Sequence, residues 1–150
     1  MKRILAVIQV AQIVHEIING YETVTFTADM DIDCDGSGGN PFGDPYFQAD
    51  TALHFPAKPS RLGKPLHAET VPYVVVPPVV IKATIGIVLG SLCEVTYRGR
   101  TALAVVGDSG PTRKVGEGSP ALADLIGINS NPNHGGVDTF TVTYKIHADK

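Results

Sequence analysis

An alternating run of aspartates and apolar residues, from Asp29 to Asp35, constrains the fold of this chain more than any other feature. In an extended strand, successive side chains point to opposite faces. The four aspartates then share one face, while Met30, Ile32 and Cys34 lie on the other. Because like charges this close repel one another, a cation or hydrogen-bond donors must meet the acidic face. The run therefore predicts a strand whose acidic side has a cationic or polar partner.

Short strands and turns are indicated for the rest of the chain. The 16 glycines and 11 prolines among 150 residues interrupt long regular elements. Asn19–Gly20 suits a type I′ hairpin turn because both positions tolerate positive φ, and Arg98–Gly99 is a second predicted turn. Strands are expected at residues 4–10 (buried), 12–18, 21–28, 71–76, 85–89, 92–97, 100–106 and 140–146.

One helix is predicted near the C-terminal third of the chain. Ser119 is a favourable N-cap, proline suits the first helical position, and Gly127 suits the C-terminal end. Leu122, Leu125 and Ile126 would form its apolar stripe. At this length we expect one domain over residues 1–150, an all-β barrel with this one short helix.

Charge, apolar runs and cysteine content exclude several classes of protein. A net charge of −3 and no lysine or arginine run argue against nucleic-acid binding, and no apolar run is long enough for a membrane span. Cys34 and Cys93 are too few for a disulfide framework. A pair between them stays open, but Cys34 falls on the apolar face of its strand, which favours a buried free thiol there. Residues 1–14 superficially resemble a signal peptide, but the hairpin signal that follows assigns them to the folded domain.

The acidic run also matches the first half of an EF-hand calcium loop, Asp31-x-Asp33-x-Asp35-Gly36. The match fails at the twelfth position, where Phe42 stands in place of a bidentate glutamate. The flanks are a strand and a proline-rich loop rather than two helices. We therefore predict no metal and no cofactor, with a different kind of cation site as the weaker alternative.

Two further carboxylates lie in glycine-rich segments, Asp108 in residues 107–111 and Glu117 in residues 116–119. Two opposed carboxylates, one general acid and one general base, are what glycoside hydrolysis needs. The alternative is structural: Asp108 as a turn residue and Glu117 as a charge that favours the helix dipole.

Five segments together resemble glycoside hydrolase family 75, the fungal-type endo-chitosanases. They are residues 29–36, the Tyr46-Phe47-Gln48-x-Asp50-Thr51 loop, residues 71–77, Val106-Gly107-Asp108 and Gly116-Glu117-x-Ser119-x-Ala121-Leu122-Ala123. The resemblance implies a six-stranded double-psi-like β-barrel and an endo-acting, inverting hydrolase of β-1,4-linked glucosamine polymer. It places the catalytic pair on Asp108 and Glu117.

The resemblance also implies a monomeric, extracellular enzyme whose partner is chitosan or a related polysaccharide. Chitosan is a polycation in mild acid, so an acidic cleft would attract it. Two alternatives stay open. One is a barrel that acts on peptidoglycan or another glycan with the same carboxylates. The other is a glycan-binding domain without catalysis, which is kept because the family usually reads Gly-Glu-Ala-Ser where this chain has Gly118 and then Pro120. The residues expected to bind substrate are Asp31, Asp33, Asp35, Tyr46, Gln48 and Asp50.

Overall fold

The computed structural model describes residues 1–55 and 63–148. The protein is mainly β, with two short helices, α1 (Pro78–Lys82) and α2 (Pro120–Ile126), in this part of the chain. The strands are β1 (Lys2–Ile8), β2 (Ala11–Ile18), β3 (Tyr21–Ile32), β4 (His54–Phe55), β5 (Lys64–Pro65), β6 (Tyr73–Val76), β7 (Leu92–Tyr97), β8 (Arg100–Ser109), β9 (Glu117–Gly118) and β10 (Val137–His147).

Six of these strands close into a barrel, in the hydrogen-bonded order β3, β10, β7, β8, β6 and β9, with β9 pairing back onto β3. Closure leaves these six strands without a free sheet edge. The β1–β2 hairpin extends from β3 outside the ring, and its Asn19–Gly20 turn has positive φ at both positions, as predicted. The predicted all-β barrel is confirmed.

The structure corrects four local predictions. Strand β1 is an edge strand, with Val7 60% exposed, so the expectation of a buried strand was wrong. Residues 85–89 form no strand, and Ile85 is almost fully exposed while Ile87 is buried. Helix α1 follows Pro77 where only a strand stop was expected. Leu125 is 54% exposed, so it does not belong to the buried stripe of α2.

Alternation along β6 separates the interior of the barrel from a second apolar cluster on its outer side. Val74 and Val76 pack in the main core, and Tyr73 and Val75 pack against Leu66 in the second cluster. Strand β3 and the segment after it alternate likewise beyond Ala28, with Met30, Ile32 and Cys34 buried as predicted. The acidic side chains of β3 consequently face away from the main core. Cys34 is a buried free thiol, as expected, and Cys93 is one as well.

No helix within the described ranges is both long enough and apolar enough to cross a membrane.

Ser119 joins helix α2 to strand β6. Its buried hydroxyl donates to the Val71 carbonyl at 2.8 Å and accepts from the Tyr73 N–H at 3.0 Å. It also accepts from the Leu122 N–H at 3.4 Å, which makes it the N-cap that the sequence predicts. The glycine-rich segment before the helix is thereby fixed relative to β6.

Replacing Ser119 with alanine is expected to lower the free energy of unfolding by about 1–3 kcal/mol, because it leaves buried backbone groups without partners. The thermal midpoint should fall by roughly 2–4 °C per kcal/mol, as measured by calorimetry. Ser37→Ala, at an exposed position, is the control and should change the midpoint little. An unchanged midpoint for Ser119→Ala would show that Ser119 does not stabilise the junction between α2 and β6.

Candidate active site

Four residues lie in one row across neighbouring strands of the barrel. Asp31 on β3 pairs with Glu117 on β9, and Glu117 pairs with Val75 on β6. Val75 also pairs with Asp108 on β8, next to a shift in register. Since adjacent strands are about 4.8 Å apart, the backbones of Glu117 and Asp108 are separated by two strand spacings, roughly 9.5 Å.

This row opens into a groove of about 660 Å³. The groove brings the predicted catalytic pair together with most of the predicted binding residues, although they come from distant parts of the sequence. Tyr46 lies in it with 86% of its surface exposed. The residues that line it and enter the arguments below are Asp31, Asp33, Asp35, Asp44, Tyr46, Gln48, Val75, Asp108, Lys114 and Glu117.

Two of the acidic residues singled out in the sequence do not line the groove. Asp50 is 72% exposed, and its Oδ1 lies 2.7 Å from Nε2 of His54, which draws its carboxylate to a neighbour four residues away. Asp29 has a buried Oδ1 with no hydrogen-bond partner in the described structure. Burial raises the pKa of Asp29 to about 6. The acidic face predicted for residues 29–35 therefore contributes to the groove only from Asp31 onward.

Gly116 explains how β9 comes so close to Asp29. Its φ is +88°, and a Cβ at this position would collide with the backbone and carboxylate oxygens of Asp29. Its carbonyl accepts the Asp31 N–H at 2.9 Å. A glycine before Glu117 is thus required by the close approach of the two strands.

Tyr73 holds the segment that continues β3 beyond Ile32. Its buried hydroxyl lies 2.8 Å from the Asp35 carbonyl and 3.2 Å from Oδ1 of Asp33. Asp33 Oδ1 also accepts the Asp35 N–H at 2.8 Å. Tyr73 therefore packs in the fold and positions two groove carboxylates, while Tyr46 is the aromatic side chain left free to meet a ligand.

The loop that carries Gln48 is fastened to the same segment. The Gln48 N–H donates to Asp35 Oδ1 at 2.7 Å, and the Gly36 N–H donates to the Gln48 carbonyl at 3.0 Å. Gly36 has a φ of +128°, and a Cβ there would collide with the carbonyl of Leu66. Burial raises the pKa of Asp35 to about 7. The acidic run thus leads directly into a turn at residues 36–38.

The environment of Asp108 contains two opposing influences. Burial raises the pKa of its carboxyl. Its Oδ1 accepts the backbone N–H groups of Ser109 at 2.9 Å and Ala52 at 3.1 Å, and these bonds favour the ionised form. Asp108 therefore combines a protected position with donors that stabilise a carboxylate.

The side chain of Glu117 is only 13% exposed. Burial raises its pKa to about 7, and nearby aspartates, Asp33 first among them, act in the same direction. Lys114 opposes this increase, with Nζ 3.8 Å from Glu117 Oε1. Glu117 can therefore keep its proton in mildly acidic solution.

Like Asp44, Lys114 is a groove residue that the sequence analysis missed. Its Nζ lies 2.8 Å from Asp31 Oδ2, so it supplies the cationic partner that the acidic run required. The pair is partly exposed and contributes only about 0–1 kcal/mol to stability. A lysine three residues before Glu117 was the available signal, but the pairing with Asp31 depends on β3 lying beside β9.

Among the residues described, no three His, Cys, Asp or Glu side chains are placed to hold a metal ion.

A closed barrel whose groove holds two protected carboxylates among further acids has the form of a carbohydrate-hydrolysing site. A family described as the fungal chitosanases of glycosyl hydrolase group 75 matches residues 30–149. The chain belongs to this family of glycoside hydrolases, which confirms the family predicted from its motifs. The match begins within β3, so the β1–β2 hairpin lies before it.

Other comparisons concern the fold alone. A solved structure titled Streptomyces papain inhibitor (SPI) is similar with a TM-score of 0.51 and 20% sequence identity. The similarity covers 81% of this chain and 93% of that protein. No curated protein matches the chain.

Proposed function

We propose that this protein is an endo-acting chitosanase that hydrolyses β-1,4-linked glucosamine polymer with inversion, outside the cell. The observation that carries the proposal is the placement of Asp108 and Glu117 on either side of Val75, within one acidic groove of a family 75 barrel. Two strand spacings put their backbones roughly 9.5 Å apart. Inverting glycosidases need about 6.5–9.5 Å between the two carboxyl groups, to hold the attacking water.

Glu117 is the general acid in this proposal. Because burial raises its pKa to about 7, it carries a proton under the mildly acidic conditions in which glucosamine amines are charged. It would donate that proton to the oxygen of the leaving sugar. Asp108, stabilised as a carboxylate by two backbone donors, would remove a proton from the water that attacks the opposite face of the ring.

The rest of the groove would bind the polymer. Asp33 and Asp35, anchored through Tyr73, place side-chain oxygens where protonated amines of the sugar chain can donate hydrogen bonds to them. Tyr46 offers an exposed ring for a sugar face. Asp31 and Gln48 line the same groove and complete the proposed contacts.

Incubation with chitosan, chitin, peptidoglycan and cellulose, followed by measurement of new reducing ends, tests this function. We expect release from chitosan, a rapid fall in viscosity that marks internal cleavage, and product first formed as the α-anomer in NMR spectra. Initial β-anomer would rule out inversion. New reducing ends from peptidoglycan alone would show that peptidoglycan, and not chitosan, is the substrate.

A glycan-binding domain without catalysis is the second candidate. The observation that favours this candidate is the Lys114 ammonium, which lies 3.8 Å from Glu117 Oε1. A cation there favours the ionised form of Glu117, which cannot act as the acid. The glycine at position 118 gives this candidate little support, because glycine suits the tight packing there: a Cβ would come within about 3.0 Å of the Met30 and Leu122 side chains. Binding to chitosan without release of reducing ends would favour this candidate.

A further inference from the structure

Three charged side chains lie together at the point where β3 runs beside β9. Asp31 and Glu117 are paired residues of these two strands, and Lys114 comes three residues before Glu117. The Lys114 ammonium lies 2.8 Å from Asp31 Oδ2, which is hydrogen-bond distance, but 3.8 Å from Glu117 Oε1. Lys114 is therefore bonded to Asp31 and is only a neighbour of Glu117.

The backbone next to Lys114 is held in place. The buried Val115 donates its N–H at 3.2 Å to Oε1 of Gln9, in the turn between β1 and β2. The Gly116 carbonyl accepts the Asp31 N–H at 2.9 Å. Because a lysine side chain has a flexible four-carbon stem, the ammonium can move between carboxylates while its backbone stays fixed. Its position therefore depends on which carboxylate attracts it more strongly.

The other groups around Glu117 favour its protonated form. Burial raises its pKa to about 7, and the groove aspartates within residues 31–35 act in the same direction. Strand β6 presents the apolar Val75 beside it, and Gly110, after β8, lies against its Oε2. Lys114 brings a positive charge close and acts in the opposite direction. The distance of this charge therefore affects how tightly Glu117 holds its proton.

We propose that Asp31 is a positioning residue, which keeps the Lys114 ammonium out of contact with Glu117 and so leaves Glu117 a proton for the leaving sugar. Without the Asp31 carboxylate, the ammonium would be drawn to Glu117, 3.8 Å away, and contact would favour the ionised form. An ionised Glu117 has no proton to donate. The inference rests on the proposed function for its role in catalysis, and its first test needs no hydrolysis.

Carbon-13 NMR titration of the glutamate carboxyl signals tests this arrangement, with Glu117→Gln identifying the signal of Glu117. Asp31→Asn should lower the pKa of Glu117 by about 1 pH unit, because an opposite charge moves into contact with it. Lys114→Gln should raise that pKa, because the positive charge is removed. When Lys114→Gln is already present, Asp31→Asn should have a much smaller effect than in the wild type, since no ammonium remains to be released.

Two exposed positions provide matched controls. Arg113→Gln removes a positive charge next to Lys114, and Asp124→Asn removes a carboxylate on α2. Neither should change the pKa of Glu117. The inference is overturned by an unchanged pKa in Asp31→Asn, by an equal effect of Asp31→Asn with and without Lys114, or by a comparable change in either control.

The pH profile of chitosan hydrolysis separates positioning from substrate binding. The alkaline limb of kcat/KM reports the general acid of the free enzyme, so Asp31→Asn should move this limb by about 1 pH unit towards acid. Lys114→Gln should move it in the alkaline direction. Titration of the polymer itself is common to all the proteins and does not contribute to the difference between them. A higher KM with an unmoved limb would make Asp31 a substrate ligand only and would overturn the inference.

This inference and the proposed function can fail separately. If the wild type cleaves no polymer but the pKa of Glu117 responds to Asp31 through Lys114, the proposed hydrolysis fails and the positioning of Lys114 stands. If chitosan is cleaved and the pKa of Glu117 does not respond to Asp31, the hydrolysis stands and this inference fails.

Discussion

Replacing Glu117 with glutamine, or Asp108 with asparagine, is expected to lower kcat for chitosan hydrolysis by about 10²–10⁴-fold, the usual contribution of a general acid or base. Each substitution keeps the shape of the side chain and removes its proton chemistry. KM should change little, since both residues act on the scissile bond. Initial rates of reducing-end formation measure the loss, and the far-ultraviolet circular dichroism spectrum checks that the barrel remains folded.

The two roles can be separated with an activated substrate. A leaving group such as fluoride departs without protonation, so a chitooligosaccharide fluoride should recover most of the rate lost in Glu117→Gln. The same substrate should not rescue Asp108→Asn, because the attacking water still needs a base. Rescue of Asp108→Asn but not of Glu117→Gln would make Asp108 the acid and Glu117 the base. Asp124→Asn, at an exposed position on α2, is the carboxylate control, and activity retained in both site variants would exclude these residues from catalysis.

Local patterns in the sequence predicted the parts of the fold that local physics determines. The Asn19–Gly20 turn and the Ser119 cap were found because each depends on a few adjacent residues. The strand predicted at residues 85–89 was wrong because it too relied on a local pattern. The β-branched content of this segment suggests a strand, but in the structure Ile87 fills the core from an irregular segment. A short apolar run does not distinguish a buried loop from a strand, because a strand also needs a neighbouring strand to pair with.

The candidate site was predictable only in part. The acidic run implied a partner, but nothing local identifies that partner as Lys114, which lies more than 80 residues further along the chain. The sequence grouped Asp108 with Glu117 through their glycine-rich segments and the family motifs. Their common neighbour, Val75, is known only from the pairing of β6 with both β8 and β9. Asp29 fits the alternation, yet its carboxylate lies behind Gly116 rather than in the groove.

Glu117→Gln is also expected to stabilise the fold in alkaline solution, by up to roughly 3 kcal/mol at pH 8. Burial raises the pKa of Glu117 from the ordinary 4.5 to about 7, and each pKa unit corresponds to about 1.4 kcal/mol. Because the folded state holds this proton more tightly than the unfolded state, the stability it confers is complete below about pH 4.5 and is lost as the pH rises through 7. Glutamine resembles the protonated form and does not lose that contribution.

Urea unfolding of the wild type and the variant at pH 4 and pH 8 measures this effect. The two proteins should have similar free energies of unfolding at pH 4, and the variant should be more stable at pH 8. Asp124→Asn should show no comparable dependence on pH. An equal gain at both pH values would mean that the amide improves packing and that Glu117 is not held protonated. A variant that is less stable at pH 8 would mean that the ion pair with Lys114 outweighs burial, and Glu117 would then be ionised at neutral pH and unsuited to act as the acid.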